Sequence, residues 1–332
     1  MDQQQALAVL QTQRHLADAD LSGADLSGLD LSQCRLERVA LTGADLSGTN
    51  LAGALLLEVS LRQARLSGLR AGRAELNQVD LRHADADSAD FGQAFFSGCD
   101  LSFARLRGAC LERADSDGCT FTETDFSQAD LTRWTVIGAD LSSVRFERTR
   151  LRQAYLKGAV LSGQRFPGCD LSMAIFDHAQ LQRADFTDAV LDRASFIGAQ
   201  LQEARLSGAR GNYVALIGAQ LQRADLRRAV FDMSDASGAS LQAAHCGEAV
   251  WTRSLLQRAD LRQAVLAGAR FSDCDFAHAD LSDADCGKAD FSGANLHAIK
   301  QSNTRWAGAC LDGARPTDET LARAENWQPP AA

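Results

Sequence analysis

Cysteine and histidine are the residue types of this chain most able to do chemistry. The 332 residues include 9 Cys and 6 His, enough for a metal site, a disulfide framework or a nucleophilic centre. The sequence contains no CxxC pair, no phosphate-cradling glycine loop and no nucleophile elbow. It therefore predicts a protein that is not an enzyme, with no catalytic residue, no metal ligand set and no cofactor.

Charge and hydropathy exclude further classes of protein. The net charge of -9 argues against direct nucleic-acid binding by phosphate neutralisation. No apolar run approaches the roughly 18 residues that a membrane span needs. The first residues, Met1–Gln5, lack the basic and apolar regions of a secretory signal. We expect a cytoplasmic protein without a membrane span.

A five-residue repeat organises the rest of the chain. Every fifth residue from Leu16 to Leu311 forms a series of 60 positions, of which 49 are Leu or Phe. Two residues before each lies a second series, in which 38 of 60 members are Ala. A period of five matches neither a helix nor a strand, so the chain must turn by a fixed angle at each unit. Stacked units of this kind form a solenoid with both series pointing inward.

The pattern resembles that of the pentapeptide-repeat family, as in Ala24-Asp25-Leu26-Ser27-Gly28. The resemblance implies an all-β solenoid, a right-handed four-sided parallel β-helix with four units per coil. Sixty units then give about 15 coils, a rod about 70 Å long at the spacing between paired strands. We expect an N-terminal capping helix at 1–15, the β-helix at 16–311, and a C-terminal cap with a short helix and tail at 312–332.

Both caps have expected anchors. Ala6, Leu7, Val9 and Leu10 can lie on the first coil, and Leu321 and Trp327 can anchor a helix at about 318–326. Within the solenoid, residues 20 apart should stack, which predicts ladders of aromatic rings in the core. Small or large exceptions such as Ser116, Trp134 and Gly211 predict irregular coils at 116–136 and 205–216, with Val136 compensating for Trp134.

Most of the cysteines and histidines have a structural explanation in a solenoid of this kind. Seven of the nine cysteines occupy inward positions and replace Ala or Leu. Cys99 and Cys119 stack on adjacent coils, where a disulfide is a minor alternative in a reducing compartment. Cys110 and Cys310 point outward and are expected to be the reactive thiols. Only His278 and His297 could meet, near Asp275, and two solvated histidines are the favoured interpretation over a metal site.

One outward face carries an unusual number of apolar side chains. We expect it to be an interaction site, because an extended apolar stripe on a rigid surface marks one in a soluble protein. Its members are Leu55, Leu57, Phe95, Ile137, Tyr155, Ile175, Ile197, Ile217 and Leu255.

These observations favour a non-enzymatic protein–protein interaction scaffold, a rigid rod presenting flat faces to a protein partner. An adaptor in bacterial secretion, such as type VI, is one version, and self-association through the apolar face or the C-terminal end is another. The alternative, implied by the resemblance, is a DNA mimic that binds DNA gyrase or topoisomerase and protects it from quinolone-type poisons. Its acidic patch would be Asp273, Asp275, Asp280, Asp283, Asp285 and Asp290.

Overall fold

A helix, seven short strands and a second helix follow one another along the chain. The computed structural model describes residues 3–325 and 327, apart from the side chains of Gln3, Leu7 and Gln11. Helix α1 spans Gln3–Gln13 and helix α2 spans Glu319–Glu325. The strands are β1 (His15–Ala17), β2 (Arg35–Glu37), β3 (Leu55–Leu57), β4 (Glu75–Asn77), β5 (Phe95–Ser97), β6 (Asp115–Asp117) and β7 (Thr135–Val136).

The strands form one parallel sheet in the order β1 to β7 with a constant offset of 20 residues. Leu16 lies opposite Leu36, and Leu36 opposite Leu56. The same offset recurs as single-residue parallel bridges as far as Asn295 and Arg315. The expected parallel β-solenoid is confirmed. Regular strands make six pairings on one side of the first coils, and single-residue bridges join the coils elsewhere.

The chain divides into two compact units. The first, Met1–Leu161 with Cys169–Ile175, contains α1 and all seven strands. The second, Ser162–Gly168 with Phe176–Ala332, consists of bridged coils and contains α2. None of the helices in the described part of the chain is long and apolar enough to cross a membrane.

Inward residues form the core of each unit as the repeat predicts. The centre position is buried at Leu26 and Leu226, and the preceding small position at Ala44 and Ala224. Aromatic rings stack one coil apart, with centroids 6.2 Å apart for Phe126 and Phe146 in the first unit. In the second unit the Phe271 and Phe291 centroids are 5.1 Å apart. The Phe231–Trp251 pair instead meets edge to face at 78°.

Trp134 is accommodated by a hydrogen bond to Ser116, which the repeat pattern does not predict. Its Nε1 donates a hydrogen bond of 2.9 Å to the buried Ser116 Oγ one coil earlier. Its ring also packs 5.5 Å, centroid to centroid, from both Phe121 and Phe126. Ser116, a small residue at a centre position, therefore supplies the acceptor for the buried indole.

The second irregularity is local to Gly211. This glycine occupies a centre position, and a Cβ there would lie 2.7 Å from the Leu191 carbonyl carbon and from Val214 Cγ2. A side chain therefore cannot be placed here unless the neighbouring backbone shifts. The residues after it form a bend in place of the usual turn.

The two terminal helices differ in how they meet the solenoid. Ala6 and Leu10 of α1 are fully buried and α1 contacts β1, whereas α2 has no buried residue. Leu7 lies outside the described side chains. Leu321 and Trp327, expected as anchors, are 47% and 70% exposed, so that expectation is wrong. The segment just before the helix is held by a polar contact, in which Ala298 N donates to Thr317 Oγ1 at 3.1 Å.

Candidate protein-interaction site

The apolar residues of the first unit occupy outward positions on the side of the coil that the strands form. Leu55 and Leu57 flank the buried Leu56 in β3, and Phe95 precedes the buried Phe96 in β5. Alternation along a strand explains this, since neighbours of an inward residue point outward.

Three of these residues lie on successive coils, and we call them the apolar strip: Ile137, Tyr155 and Ile175. Tyr155 bridges Ile175, so these two positions stack directly. Ile137 lies two residues after Thr135, the bridge partner of Tyr155, and Lys157 is the residue that follows Ile137 on the next coil. Tyr155 N donates to Trp134 O at 2.8 Å and fixes the register. Ile137 is 61% exposed. The strip therefore presents a branched side chain, a phenol ring and a second branched side chain from three successive coils.

The other apolar residues of the first unit are isolated from the strip. Glu75 and Asn77 of β4 separate Leu55 and Leu57 from Phe95, and β6 contributes Asp115 and Asp117 before Ile137 is reached. The face expected from the sequence is thus interrupted by polar strands.

The second unit brings together Ile197 and Ile217. Gly198 N donates to Ile217 O at 2.9 Å, which places the two isoleucines on successive coils. Leu255 is 42% exposed but stands apart, because Asp235 bridges both Ala215 and Leu255 and lies between them.

The outward aspartates cap turns rather than face solvent freely. In the expected acidic patch, Asp280 Oδ1 accepts the Ser282 amide at 3.0 Å and Asp290 Oδ1 accepts the Ser292 amide at 2.9 Å. At the start of the solenoid, Ser22 N donates the same bond to Asp20 Oδ1. Aspartates in such turns commonly accept this bond. The Ser292 bonds hold the pKa of Asp290 below its usual range. Aspartate in the repeat is therefore primarily a turn residue.

Cations and amides of the same and neighbouring coils also pair with the carboxylates of the acidic patch. Asp285 lies 3.3 Å from Arg305, and Asp280 lies 3.9 Å from Lys300. Asp283 accepts from Asn303 Nδ2 at 3.0 Å. Asp275 accepts from Ala277 N, Gln257 Nε2 and Asn295 Nδ2. Asp273 lies in a turn with a positive φ of 59°.

Charge alternates along the solenoid in the first unit as well. Arg65 lies 3.6 Å from Asp45 on the preceding coil, and Arg105 lies 3.4 Å from Asp85. A DNA duplex carries an unbroken series of negative charges, about one per 1.7 Å of its axis. A ladder of alternating sign therefore does not reproduce the potential of a duplex.

The cysteines are mainly core residues. Burial raises the pKa of Cys246, Cys274 and Cys286 to about 12 in each case, which keeps these thiols protonated. Cys99 and Cys119 lie one coil apart as free thiols, and a hydrogen bond between them raises the pKa of Cys119.

The two cysteines expected to be reactive are more protected than the sequence indicates. Cys110 and Cys310 are both half-buried. Burial raises the pKa of Cys110 and lowers its thiolate fraction.

Sequence reasoning missed one potential functional residue, Glu325 of α2. Its carboxylate lies within 3.2 Å of both His278 Nε2 and His297 Nε2. The repeat pattern identifies the two histidines as neighbours, but α2 lies outside the repeat, and no spacing rule indicates where its side chains fall.

The family model described as pentapeptide repeats matches the chain in eight copies. The matched residues are 19–56, 60–98, 99–133, 137–172, 174–210, 212–242, 237–273 and 259–297. No curated protein matches the chain.

Several solved structures are similar to the chain. HetL, a pentapeptide repeat protein involved in heterocyst differentiation regulation from the cyanobacterium Nostoc sp. strain PCC 7120, is 24% identical. The alignment covers 88% of this chain and 90% of HetL, with a TM-score of 0.23. QnrB1, a plasmid-mediated fluoroquinolone resistance protein, is 19% identical over 57% of this chain and 94% of its own, with a TM-score of 0.39. These values transfer neither a partner nor an activity.

Proposed function

The chain belongs to the pentapeptide-repeat family, and from this premise we propose that it is a non-enzymatic scaffold that presents a flat face to a protein partner. The observation that carries the proposal is the apolar strip, Ile137, Tyr155 and Ile175, at outward positions on three successive coils. A cytoplasmic location is part of the proposal.

The surroundings of the strip support its use as a docking surface. The turns beside it contain Gly138 and Gly158, whose φ angles are +66° and +69°. Glycine adopts this region without strain and places no side chain beside the strip. A flat partner surface can therefore approach closely, and Tyr155 offers an aromatic anchor of the kind that is enriched at interface centres.

The titratable side chains support a binding rather than a catalytic role. Asp80 and Asp225 are typical: each accepts the amide of the arginine two residues later and a second bond from its guanidinium. These pairs hold the pKa of both carboxyls low. A general acid near neutral pH requires the opposite shift.

The test compares the wild type with an I137D/I175D variant and a T122D/S142D variant, which changes two exposed polar positions of neighbouring coils. Purified proteins are used to capture partners from the host. The proposal expects a stoichiometric partner that the wild type and T122D/S142D bind and I137D/I175D does not. A partner retained equally by all three proteins would contradict it.

A gyrase supercoiling assay with a quinolone-protection arm distinguishes the scaffold from the DNA mimic. The scaffold proposal expects no inhibition and no protection by folded protein. Inhibition that is lost in a D280N/D285N variant would favour the mimic, since these carboxylates belong to the acidic patch.

Self-association through the C-terminal end is supported by a separate observation. Leu311 occupies a centre position but is 45% exposed, and Trp306 on the preceding side is half-buried. Core positions of the last coil are thus open to a second copy. Light scattering coupled to size exclusion is expected to show a dimer that L311D converts to a monomer. A wild-type monomer at high concentration would contradict this arm.

A further inference from the structure

Three potential metal ligands converge where α2 meets the second unit. His278 Nε2 lies 3.2 Å from Glu325 Oε1, and His297 Nε2 lies 3.1 Å from Glu325 Oε2. All three ligand atoms lie within 4.8 Å of one another. The two imidazole rings are nearly perpendicular, at 85°, with centroids 5.3 Å apart. Two nitrogens and one carboxylate therefore surround a common point.

The fold holds each group in place independently. His278 N donates to His297 O at 2.9 Å, which aligns the two coils. His297 is only 4% exposed, so its ring has little freedom. Glu325 reaches the site because Asp318 caps α2, accepting the Thr320 and Leu321 amides at 2.9 and 3.1 Å. The cap fixes the start of α2, of which Glu325 is the last residue.

The spacing suits a small tetrahedral ion. Ligand atoms about 2.0–2.1 Å from Zn²⁺ lie about 3.3 Å from one another in a tetrahedron. The two nitrogen–oxygen separations are close to that value. We propose that His278, His297 and Glu325 bind one divalent transition-metal ion of the zinc class, which fastens α2 to the solenoid.

The ligand types select this class of ion. Imidazole nitrogen suits Zn²⁺, Co²⁺ and Ni²⁺, whereas Ca²⁺ and Mg²⁺ take oxygen ligands. Asp275, three residues before His278, is not a ligand, since its carboxylate accepts from Ala277 N, Gln257 Nε2 and Asn295 Nδ2. His278 is about one-third exposed and provides the entry path for the ion.

Binding requires both imidazoles to change tautomer, because the Glu325 carboxylate only accepts and each Nε2–H therefore donates to it. In His278 the proton moves from Nε2 to Nδ1 by way of solvent. Asp318 N donates to His297 Nδ1 at 3.1 Å, so the neutral ring carries its proton on Nε2 and donates it to Glu325. Ligation through Nε2 transfers that proton, by way of solvent, to Nδ1, with no net release. The Asp318 amide must then leave Nδ1. Its carboxylate cap on α2 is unaffected, because that cap uses the Thr320 and Leu321 amides.

The test uses Co²⁺ as a spectroscopic probe on the full chain freed of metals by chelation. The proposal expects one Co²⁺ per chain, with the intense visible bands of a four-coordinate ion, and displacement by Zn²⁺. H278A and E325Q are expected to weaken binding by about tenfold or more. H178A is the matched control, because His178 and His278 occupy equivalent turns with φ of 57° and 62°.

A second readout follows the proton. On adding Zn²⁺, the Asp318 amide resonance is expected to shift and its hydrogen exchange to quicken, while the Thr320 and Leu321 amides remain protected. Circular dichroism verifies that each variant is folded. The proposal is overturned by the absence of stoichiometric binding, by equal binding in E325Q, or by a thiolate charge-transfer band, which would assign the ion to cysteines.

Discussion

The helices at the two ends of the chain are attached by different kinds of contact. Ala6 and Leu10 of α1 are buried and contribute apolar contact to the first coil. α2 buries no residue and is tied by His278 and His297, and Thr317 holds the segment just before it. We therefore propose that the N-terminal helix protects the core and that the C-terminal helix is an attachment that can be removed. A terminal helix is a cap only when it replaces the apolar contacts of the missing coil.

The largest expected effect comes from removing each helix. Without residues 1–14, the centre residues Leu16 and Leu21 of the first coil lose their cover, and we expect aggregation because exposed strand edges pair with other chains. Ending the chain after Arg315 is expected to leave a folded protein. Solubility and circular dichroism measure both. A soluble, folded protein without residues 1–14 would show that α1 is not a cap.

A matched pair of leucines sharpens the comparison. L10A removes a fully buried side chain and is expected to lower the free energy of unfolding by about 2–5 kcal/mol. L321A truncates an exposed side chain and should change it by less than about 0.5 kcal/mol. Urea unfolding, followed by hydrogen exchange to locate the change, measures both. Equal losses would mean that α2 packs on the core.

How much of this could be predicted depends on where each residue lies relative to the repeat. The period of five identified the solenoid, its buried Leu, Phe and Ala positions and the stacking of Phe126 on Phe146, because each unit repeats the same physical problem. It did not identify Ser116 as the partner of Trp134, since that contact depends on ring direction.

The candidate site was predicted in part for the same reason. The period placed all nine apolar residues on outward positions but could not show that β4 and β6 interrupt the face. Aspartate counts suggested an acidic surface, whereas the structure uses these carboxylates in turns. Glu325 lies outside the repeat, so its approach to the histidines was visible only in three dimensions.

The smallest expected effect concerns acid at the N-terminal end. Bonds from Ser22, Ser27 and Ser32 hold the pKa values of Asp20, Asp25 and Asp30 below normal. A carboxyl with a lowered folded pKa stabilises fully above its unfolded pKa, about 3.9, and progressively less as pH falls through the folded value.

We therefore expect amides of the first coil to exchange faster relative to global unfolding at pH 3 than at pH 6. D25N should reduce this pH dependence. α1 is held by Ala6 and Leu10 and should lose no direct contact at low pH. An equal pH dependence of amide exchange in D25N and wild type would contradict the role of the turn bonds.

The central claim is that the apolar strip binds a protein, and site-specific photo-crosslinking tests it most directly. A photoreactive phenylalanine replaces Tyr155 on the strip or Thr122 on a polar side of the same unit, and each protein is irradiated in its host. We predict one heterologous crosslinked protein from position 155, none from position 122, and loss of the product in the I137D/I175D background. Identical products from both positions, or no product from position 155 in folded protein, would contradict the claim.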